Sequence, residues 1–160
     1  MILQVATPNE MVDLGRRIGG TLVRGDIVAL TGELGAGKTT LTRGIGEGLG
    51  VRGAVTSPTF VLARTHPREQ GAPLVHVDAY RLGHAAELDD LDIDFAGSIT
   101  VVEWPRDMLE GVSDSMLVVT IDRPTGTADA AHFDLSVEPV ETRAVTITPV
   151  GPRWERTPFL

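Results

Sequence analysis

The sequence predicts an α/β fold with strands buried inside a sheet. Short apolar runs at 26–31, 99–104 and 116–121 have the length of buried strands. A segment with helical periodicity precedes the first run, and a glycine-rich loop that opens a second helix follows it. Because a chain of 160 residues suits one domain with its own core, we expect a single domain over 1–160, with a tail from 150.

The first predicted elements are a short strand over 2–6 and the helix that follows it. Thr7 is a good N-cap, Pro8 suits the first helical position, and Glu10 stands where a capping box requires an acid. Apolar residues recur at helical spacing at Met11, Leu14, Ile18 and Leu22. Gly25 ends the helix, and the apolar face is expected to pack on a core.

The second predicted helix is rich in glycine. It runs from the end of the glycine-rich loop to Leu49, and Gly50 closes it. Gly44, Gly46 and Gly48 lie inside it, and each lowers helix stability by about 1 kcal/mol relative to alanine. We therefore expect tertiary packing to hold this helix, with the small residues allowing close approach to a neighbouring strand.

The remaining chain predicts strands and turns. Runs within 54–65 and 74–80 are separated by turn-forming residues, which indicates an antiparallel hairpin. Segment 84–96 carries five carboxylates and is expected to be a solvated acidic helix or loop. A final hairpin is expected within 123–149.

One loop carries a specific chemical signal. Residues 32–39 read GELGAGKT and fit G-x-x-x-x-G-K-[ST], between a predicted strand and a predicted helix. Glycines let the backbone curl so that N–H groups face phosphate oxygens, and the helix N-terminus adds partial positive charge. Lys38 is expected to reach the β- and γ-phosphates, and Thr39 to ligate Mg²⁺. Binding of a nucleoside triphosphate is predicted for Glu33, Gly35, Ala36, Gly37, Lys38, Thr39 and Thr40.

Side chains near strand ends complete the predicted site. Asp78 and Glu103 each end an apolar strand, and a P-loop enzyme needs such acids to organise Mg²⁺ and the attacking water. Either acid suits the metal shell, so their roles stay open. Thr59 lies where a loop that senses the γ-phosphate is expected. Trp104 suits either stacking on adenine or packing, and His76 is interpreted as a core histidine.

Composition narrows the choice of nucleotide and partner. The chain has 14 Lys and Arg against 22 Asp and Glu, a net charge of −8 that disfavours stand-alone binding of nucleic acid. Cysteine is absent, which excludes thiol chemistry. Lys38 is the only lysine, so a guanine-reading N/T-K-x-D segment is excluded and ATP is expected. No arginine finger is evident, although Arg43, Arg64 and Arg81 stay open, and slow intrinsic hydrolysis is expected.

Four ordered motifs resemble those of one family. ELGAGKTT, TSPTFVL, HVDAYRL and VVEWP, followed by a C-terminal GPRW, together resemble the TsaE (YjeE) family of bacterial tRNA threonylcarbamoyladenosine biosynthesis. The resemblance covers about 5–155. It implies a three-layer P-loop NTPase fold, with a mixed, mainly parallel central sheet and antiparallel edge hairpins. It also implies a weak, Mg²⁺-dependent ATPase that supports turnover of the TsaD–TsaB complex, in which TsaD modifies A37 of tRNA.

The resemblance further implies roles for individual residues. The positions for phosphate, metal, switch loop and nucleotide contact are Lys38, Thr39, Thr59, Asp78, Glu103 and Trp104. Of the two acids, we expect Glu103 in the Mg²⁺ shell and Asp78 on the attacking water, with the reverse assignment still open.

Two other functions remain as alternatives. A small-molecule kinase would phosphorylate a product without any protein partner, and a non-hydrolysing switch would leave ATP intact. In the expected function, the acidic protein docks on its protein partners and does not bind free tRNA tightly. The sequence shows neither a signal segment nor an apolar run of membrane-spanning length, so a cytoplasmic location is expected.

Overall fold

The computed structural model describes residues 1–58, 60–124 and 141–155. Seven strands and four helices occur in these ranges. In chain order they are β1 (Ile2–Val5), α1 (Pro8–Thr21), β2 (Ile27–Gly32), α2 (Lys38–Leu49), β3 (Ala63–His66), β4 (Leu74–Asp78), α3 (Ala85–Asp89), β5 (Ile99–Glu103), β6 (Met116–Asp122), β7 (Arg143–Val150) and α4 (Pro152–Glu155). The predicted α/β class is confirmed.

The strands form one mixed sheet in the order β1-β7-β6-β2-β5-β4-β3. Its centre is parallel, because β6, β2, β5 and β4 run side by side in one direction. Its edges are antiparallel: β3 pairs with β4 at one edge, and β7 lies between β6 and β1 at the other. The carboxyl ends of β2, β5 and β4 therefore meet at one edge of the sheet, where α/β proteins bind their ligands.

The local signals at the start of α1 act as predicted. Thr7 Oγ1 accepts a hydrogen bond from the Glu10 amide at 3.2 Å, and the Glu10 carboxylate accepts one from the Ala6 amide at 2.7 Å. Two amides at the helix start are thereby satisfied by side chains. The apolar face of α1, which includes Ile18, is buried in a core shared with α2 and the central strands.

Helices α1 and α2 pack directly against each other through glycine. A Cβ on Gly15 of α1 would overlap backbone atoms of α2, and a Cβ on Gly44 or Gly48 of α2 would overlap the backbone of Val12 or Arg16. The expectation that the glycines approach a strand is therefore wrong for Gly44 and Gly48, whose close neighbour is the helix α1, whereas a Cβ on Gly46 would meet side chains that include Leu74 of β4. Local sequence cannot reveal which element lies opposite a small-residue face.

The two faces of the sheet are covered unequally. Helices α1 and α2 cover one face, whereas the other packs against Leu88 of α3 and loop residues such as Leu82 and Met108. The three-layer fold is thus present, with a thin third layer. Within the acidic segment 84–96, α3 is followed by turns that leave Asp92 and other carboxylates exposed. No helix in the described ranges has both the length and the apolar content that a bilayer span needs.

The edges of the sheet contain the first predicted hairpin and one strand of the second. The hairpin predicted within 54–80 is present as β3 and β4. Strand β7 accounts for the strand predicted at 143–149, whereas its expected hairpin partner at 132–139 lies outside the described residues. In the tail, the Arg153 guanidinium donates to both carboxylate oxygens of Asp26 at 3.0 Å, which attaches α4 to the start of β2.

Candidate functional site

The loop between β2 and α2 forms the floor of the candidate site. Gly35 and Gly37 have φ of +77° and +114°, in the left-handed region that side chains rarely adopt. Gly37 is also the N-cap of α2, so the N-cap position supplies no side-chain acceptor for the first amides of this helix. Those amides, with the positive end of the helix dipole, are suited to an anion.

Lys38 lies against this loop at the start of α2. Its Nζ donates to the carbonyl oxygens of Gly32 at 2.8 Å and Glu33 at 3.0 Å, and it lies 4.2 Å from the centre of the Trp104 ring. Burial lowers the pKa of Lys38, while the charges of two nearby carboxylates oppose that shift. The ammonium is therefore held at the loop by carbonyl groups and an aromatic face.

The two carboxylates come from the ends of β4 and β5. Asp78 and Glu103 are paired in register, and theirs are the charges that favour the protonated form of Lys38. Asp78 is half-buried and accepts a hydrogen bond from the Tyr80 amide at 3.0 Å. Glu103 is buried, and its Oε1 lies 2.7 Å from Nε2 of His76. His76 is a core histidine as interpreted, but its buried partner is a site residue.

A cavity of about 640 Å³ gathers most of the residues that the sequence predicted. Those in its wall are Glu33, Gly35, Gly37, Lys38, Thr39, Thr40, Asp78, Glu103 and Trp104. Of the other predicted residues, Ala36 is buried and lines a neighbouring cavity, and Thr59 lies outside the described residues. The nearby hydroxyl residue Ser57 also lines the larger cavity.

The sequence analysis did not predict three further wall residues as site residues, although it left one of them open as an arginine finger. Leu34, Tyr80 and Arg81 line the larger cavity. The Tyr80 ring lies 5.4 Å from that of Trp104, and the Arg81 guanidinium lies 5.7 Å from the ring of Phe60. The available signal was the motif HVDAYRL, because Tyr80 and Arg81 directly follow the strand-end acid and its alanine neighbour.

The oxygen donors of the larger cavity suit Mg²⁺. The Thr39 hydroxyl and the carboxylates of Asp78 and Glu103 border one space. Magnesium in proteins is usually held by one or two carboxylates, with phosphate and water completing its shell. In the described part of the chain, no cluster of three or more His, Asp or Glu forms a closed metal site.

A second cavity of about 380 Å³ borders the same loop. The two cavities share Gly35, Gly37 and Thr40 as wall residues. The wall of the second includes Pro8 and Met11 at the start of α1. Glu141 and Arg143 also line the second cavity, so its wall is partly apolar and partly charged.

A known family shares these features. The family model described as "Threonylcarbamoyl adenosine biosynthesis protein TsaE" matches residues 5–133. The chain belongs to the TsaE family. The predicted resemblance is thus confirmed, and the match begins in β1 and continues past β6.

Individual TsaE relatives cover most of this chain. It is 55% identical to the tRNA threonylcarbamoyladenosine biosynthesis protein TsaE of Streptomyces coelicolor, over 90% of this chain and 93% of the relative. Identity to the Bacillus subtilis protein of the same name is 32%, over 95% of this chain and 87% of the relative. A crystal structure of Bacillus subtilis YdiB is similar with a TM-score of 0.71 at 31% identity, covering 97% of this chain and 88% of the other. This TsaE-family chain therefore has the predicted P-loop fold.

Proposed function

We propose that this protein binds Mg²⁺ and ATP in the larger cavity and hydrolyses ATP slowly, in support of tRNA N6-threonylcarbamoyladenosine biosynthesis. The observation that carries the proposal is the convergence of the Lys38 ammonium, the Thr39 hydroxyl and two carboxylates on one cavity. The printed name of the Streptomyces coelicolor relative supports the pathway. The proposed location is the cytoplasm.

The phosphates lie in the loop in this proposal. The loop glycines and the first turn of α2 supply N–H donors and partial positive charge. The Lys38 ammonium is already held there by the carbonyl oxygens of Gly32 and Glu33. Phosphate oxygens are charged and accept stronger hydrogen bonds than neutral carbonyls, so a bound nucleotide redirects Nζ towards the β- and γ-phosphates.

In this proposal the adenosine lies in the second cavity, whose wall does not include Trp104. The Trp104 ring contacts Lys38 and lies near the Tyr80 ring, which supports a position at the phosphate end of the nucleotide. The second cavity adjoins the same loop glycines, and Pro8 and Met11 give it the apolar surface that a purine requires. Trp104 therefore positions the ammonium in this proposal and does not stack on adenine.

Asp78 and Glu103 have different roles in the proposed reaction. Mg²⁺, when bound, supplies positive charge that stabilises the developing charge on the β- and γ-phosphate oxygens. Thr39 and Glu103 are the residues that would hold it. Asp78 is half-buried at the cavity wall, where it accepts a hydrogen bond from the attacking water and orients it. The water oxygen bonds to the γ-phosphorus as the bond to the bridging oxygen breaks, and one water proton stays on the phosphate while the other leaves to solvent.

A partner protein completes the active form. Leu34 (88% exposed) and Tyr80 (59%) line the larger cavity, and Phe60 (89%) lies beside its wall residue Arg81. Exposed apolar side chains in one region are typical of a protein contact. The net charge of −8 disfavours direct contact with tRNA phosphates. We propose that the TsaD–TsaB pair docks on this rim and accelerates turnover, and that free tRNA is not bound tightly.

ATP turnover with and without the TsaD–TsaB pair tests this function. We expect slow loss of ATP by the protein alone and faster loss with the pair. Lys38→Ala should reduce the stimulated rate by at least about 100-fold, because it removes the cation at the phosphates. Arg17→Ala is the matched control, since Arg17 is an exposed cation on α1 and should leave the rate unchanged.

Three outcomes would contradict the proposal in different ways. Unchanged ATP after long incubation with the pair would indicate a non-hydrolysing switch. A phosphorylated small molecule formed without the pair would indicate a kinase. Hydrolysis that the pair does not stimulate, or tight binding of tRNA at about 150 mM salt, would overturn the proposed partner docking.

A further inference from the structure

His76 is a buried polar residue with no part in the proposed chemistry. It lies in β4, and its side chain is fully buried. Its Nε2 lies 2.7 Å from Oε1 of Glu103. Its Nδ1 is also buried, and has no hydrogen-bond partner among the described residues. The imidazole is thus enclosed in the core, and its one hydrogen-bond partner among the described residues is Glu103.

The surroundings of the two ring nitrogens indicate where a ring hydrogen lies. A carboxylate oxygen is an acceptor, so Nε2 of His76 must carry a hydrogen and donate it to Glu103. A second hydrogen on Nδ1 would be a buried donor without an acceptor, and orphaned N–H groups are rarer in proteins than orphaned acceptors. The geometry therefore places a ring hydrogen on Nε2, where Glu103 accepts it.

This hydrogen bond restrains a flexible side chain at the cavity wall. Strands β4 and β5 pair in parallel, so the sheet fixes the backbone positions of His76 and Glu103. With Oε1 bonded to His76, the Glu103 carboxylate can present only its second oxygen freely to the cavity that it lines. Glutamate has several rotatable bonds, and a carboxylate that acts on a metal or water must be held in one orientation.

We infer that His76 is a positioning residue for Glu103, which it holds by donating Nε2–H to Oε1 so that Oε2 serves the nucleotide cavity. The inference rests on the proposed function for the role of the cavity. The hydrogen bond itself does not depend on that function, so the two can be tested apart.

The first test is the tautomer of His76 in the nucleotide-free protein. Long-range ¹H–¹⁵N correlation spectra distinguish protonated from bare ring nitrogens, and the spectrum of His76→Gln assigns His76 among the four histidines. We expect a hydrogen on Nε2 in the wild type, and a change in the ring pattern in Glu103→Leu, which lacks the acceptor. A wild-type ring with no hydrogen on Nε2, or a pattern that Glu103→Leu leaves unchanged, would overturn the inference.

The second test compares His76→Gln with His76→Met. The two side chains have similar size, but only glutamine keeps an N–H donor near the position of Nε2. We expect His76→Met to lower kcat about tenfold, the value of one hydrogen bond of about 1.4 kcal/mol, with little change in KM for ATP. His76→Gln should recover most of the rate. Equal losses in both variants would indicate a packing role only and overturn the inference, and thermal unfolding verifies that both variants fold.

A wild-type protein that fails to turn over ATP would overturn the proposed function. The tautomer measurement would then still decide whether His76 holds Glu103.

Discussion

The N-termini of α1 and α2 border the same cavity but are completed in different ways. At α1, Thr7 and Glu10 provide side-chain acceptors for backbone amides. At α2, the N-cap is Gly37, which has no side chain to offer. Every helix starts with amides that lack partners inside the helix. A helix whose cap residue cannot supply an acceptor, next to a buried lysine, is therefore suited to an external anion.

The same pair of helices also differs in intrinsic stability. Helix α1 has side-chain capping, whereas α2 contains Gly44, Gly46 and Gly48 in its interior. Backbone contact with α1 is possible because Gly44 and Gly48 have no Cβ. The well-capped helix thus supports the helix that carries the phosphate loop, and changes at the two N-termini should separate folding from binding.

The largest expected effect is at the N-terminus of α2, where the N-cap residue has no side chain. Lys38→Arg keeps the charge but replaces a compact ammonium with a larger planar guanidinium, in a space bounded by the Gly32 and Glu33 carbonyls and the Trp104 ring. We expect partner-stimulated ATP turnover to fall at least 100-fold, or about 2.7 kcal/mol in transition-state stabilisation. Steady-state kinetics measures this, and near wild-type turnover would show that only the charge matters.

A control of matched chemistry is available on the capped helix. Arg17→Lys exchanges the same two residue types at an exposed position of α1. It should leave turnover and stability unchanged, because nothing in the proposed site depends on it.

The next effect concerns the contact between the helices. Gly44→Ala places a Cβ into the backbone of α1 and should lower the free energy of unfolding by about 2 kcal/mol through overpacking. Gly20→Ala is the matched control, because a Cβ there meets nothing within 4 Å and Gly20 lies in α1. That change should raise the unfolding free energy by about 0.5–1 kcal/mol. Urea denaturation measures both, and equal effects would contradict the proposed packing role of Gly44.

These two helices also show what sequence can and cannot reveal. The cap formed by Thr7 and Glu10 was predictable because its partners lie three residues apart, and the phosphate loop was predictable because its residues are contiguous. The neighbour of Gly44 was not, because it depends on which element packs opposite. The packing of a small-residue face is set by tertiary structure alone.

The site shows the same limit across strands. Asp78 and Glu103 could be predicted to lie together, because each ends an apolar strand in a P-loop chain. The hydrogen bond from His76 to Glu103 could not, because it requires β4 to lie beside β5. The contact between Lys38 and Trp104 likewise joins β2, through its loop, to the end of β5. Such pairs depend on strand order, which one sequence does not display.

A smaller effect is expected at the capped N-terminus. Thr7→Ala removes the acceptor for the Glu10 amide and should lower the free energy of unfolding by about 1 kcal/mol. Thr7→Ser keeps the hydroxyl and should recover most of that loss. Urea denaturation measures the stability. If Thr7→Ala and Thr7→Ser were equally destabilised, the hydroxyl would not act as the cap.

The smallest effect isolates charge from hydrogen bonding at α1. Glu10→Gln keeps an oxygen acceptor for the Ala6 amide but removes the negative charge near the helix N-terminus. The free energy of unfolding should fall by about 0.5 kcal/mol at low salt, because the carboxylate interacts favourably with the helix dipole. Salt at about 1 M shortens the Debye length to about 3 Å, so the difference from wild type should shrink there. If Glu10→Gln lost the same stability at low and high salt, Glu10 would act through its hydrogen bond alone. The N-termini of α1 and α2 would then differ in their acceptors and not in their response to charge.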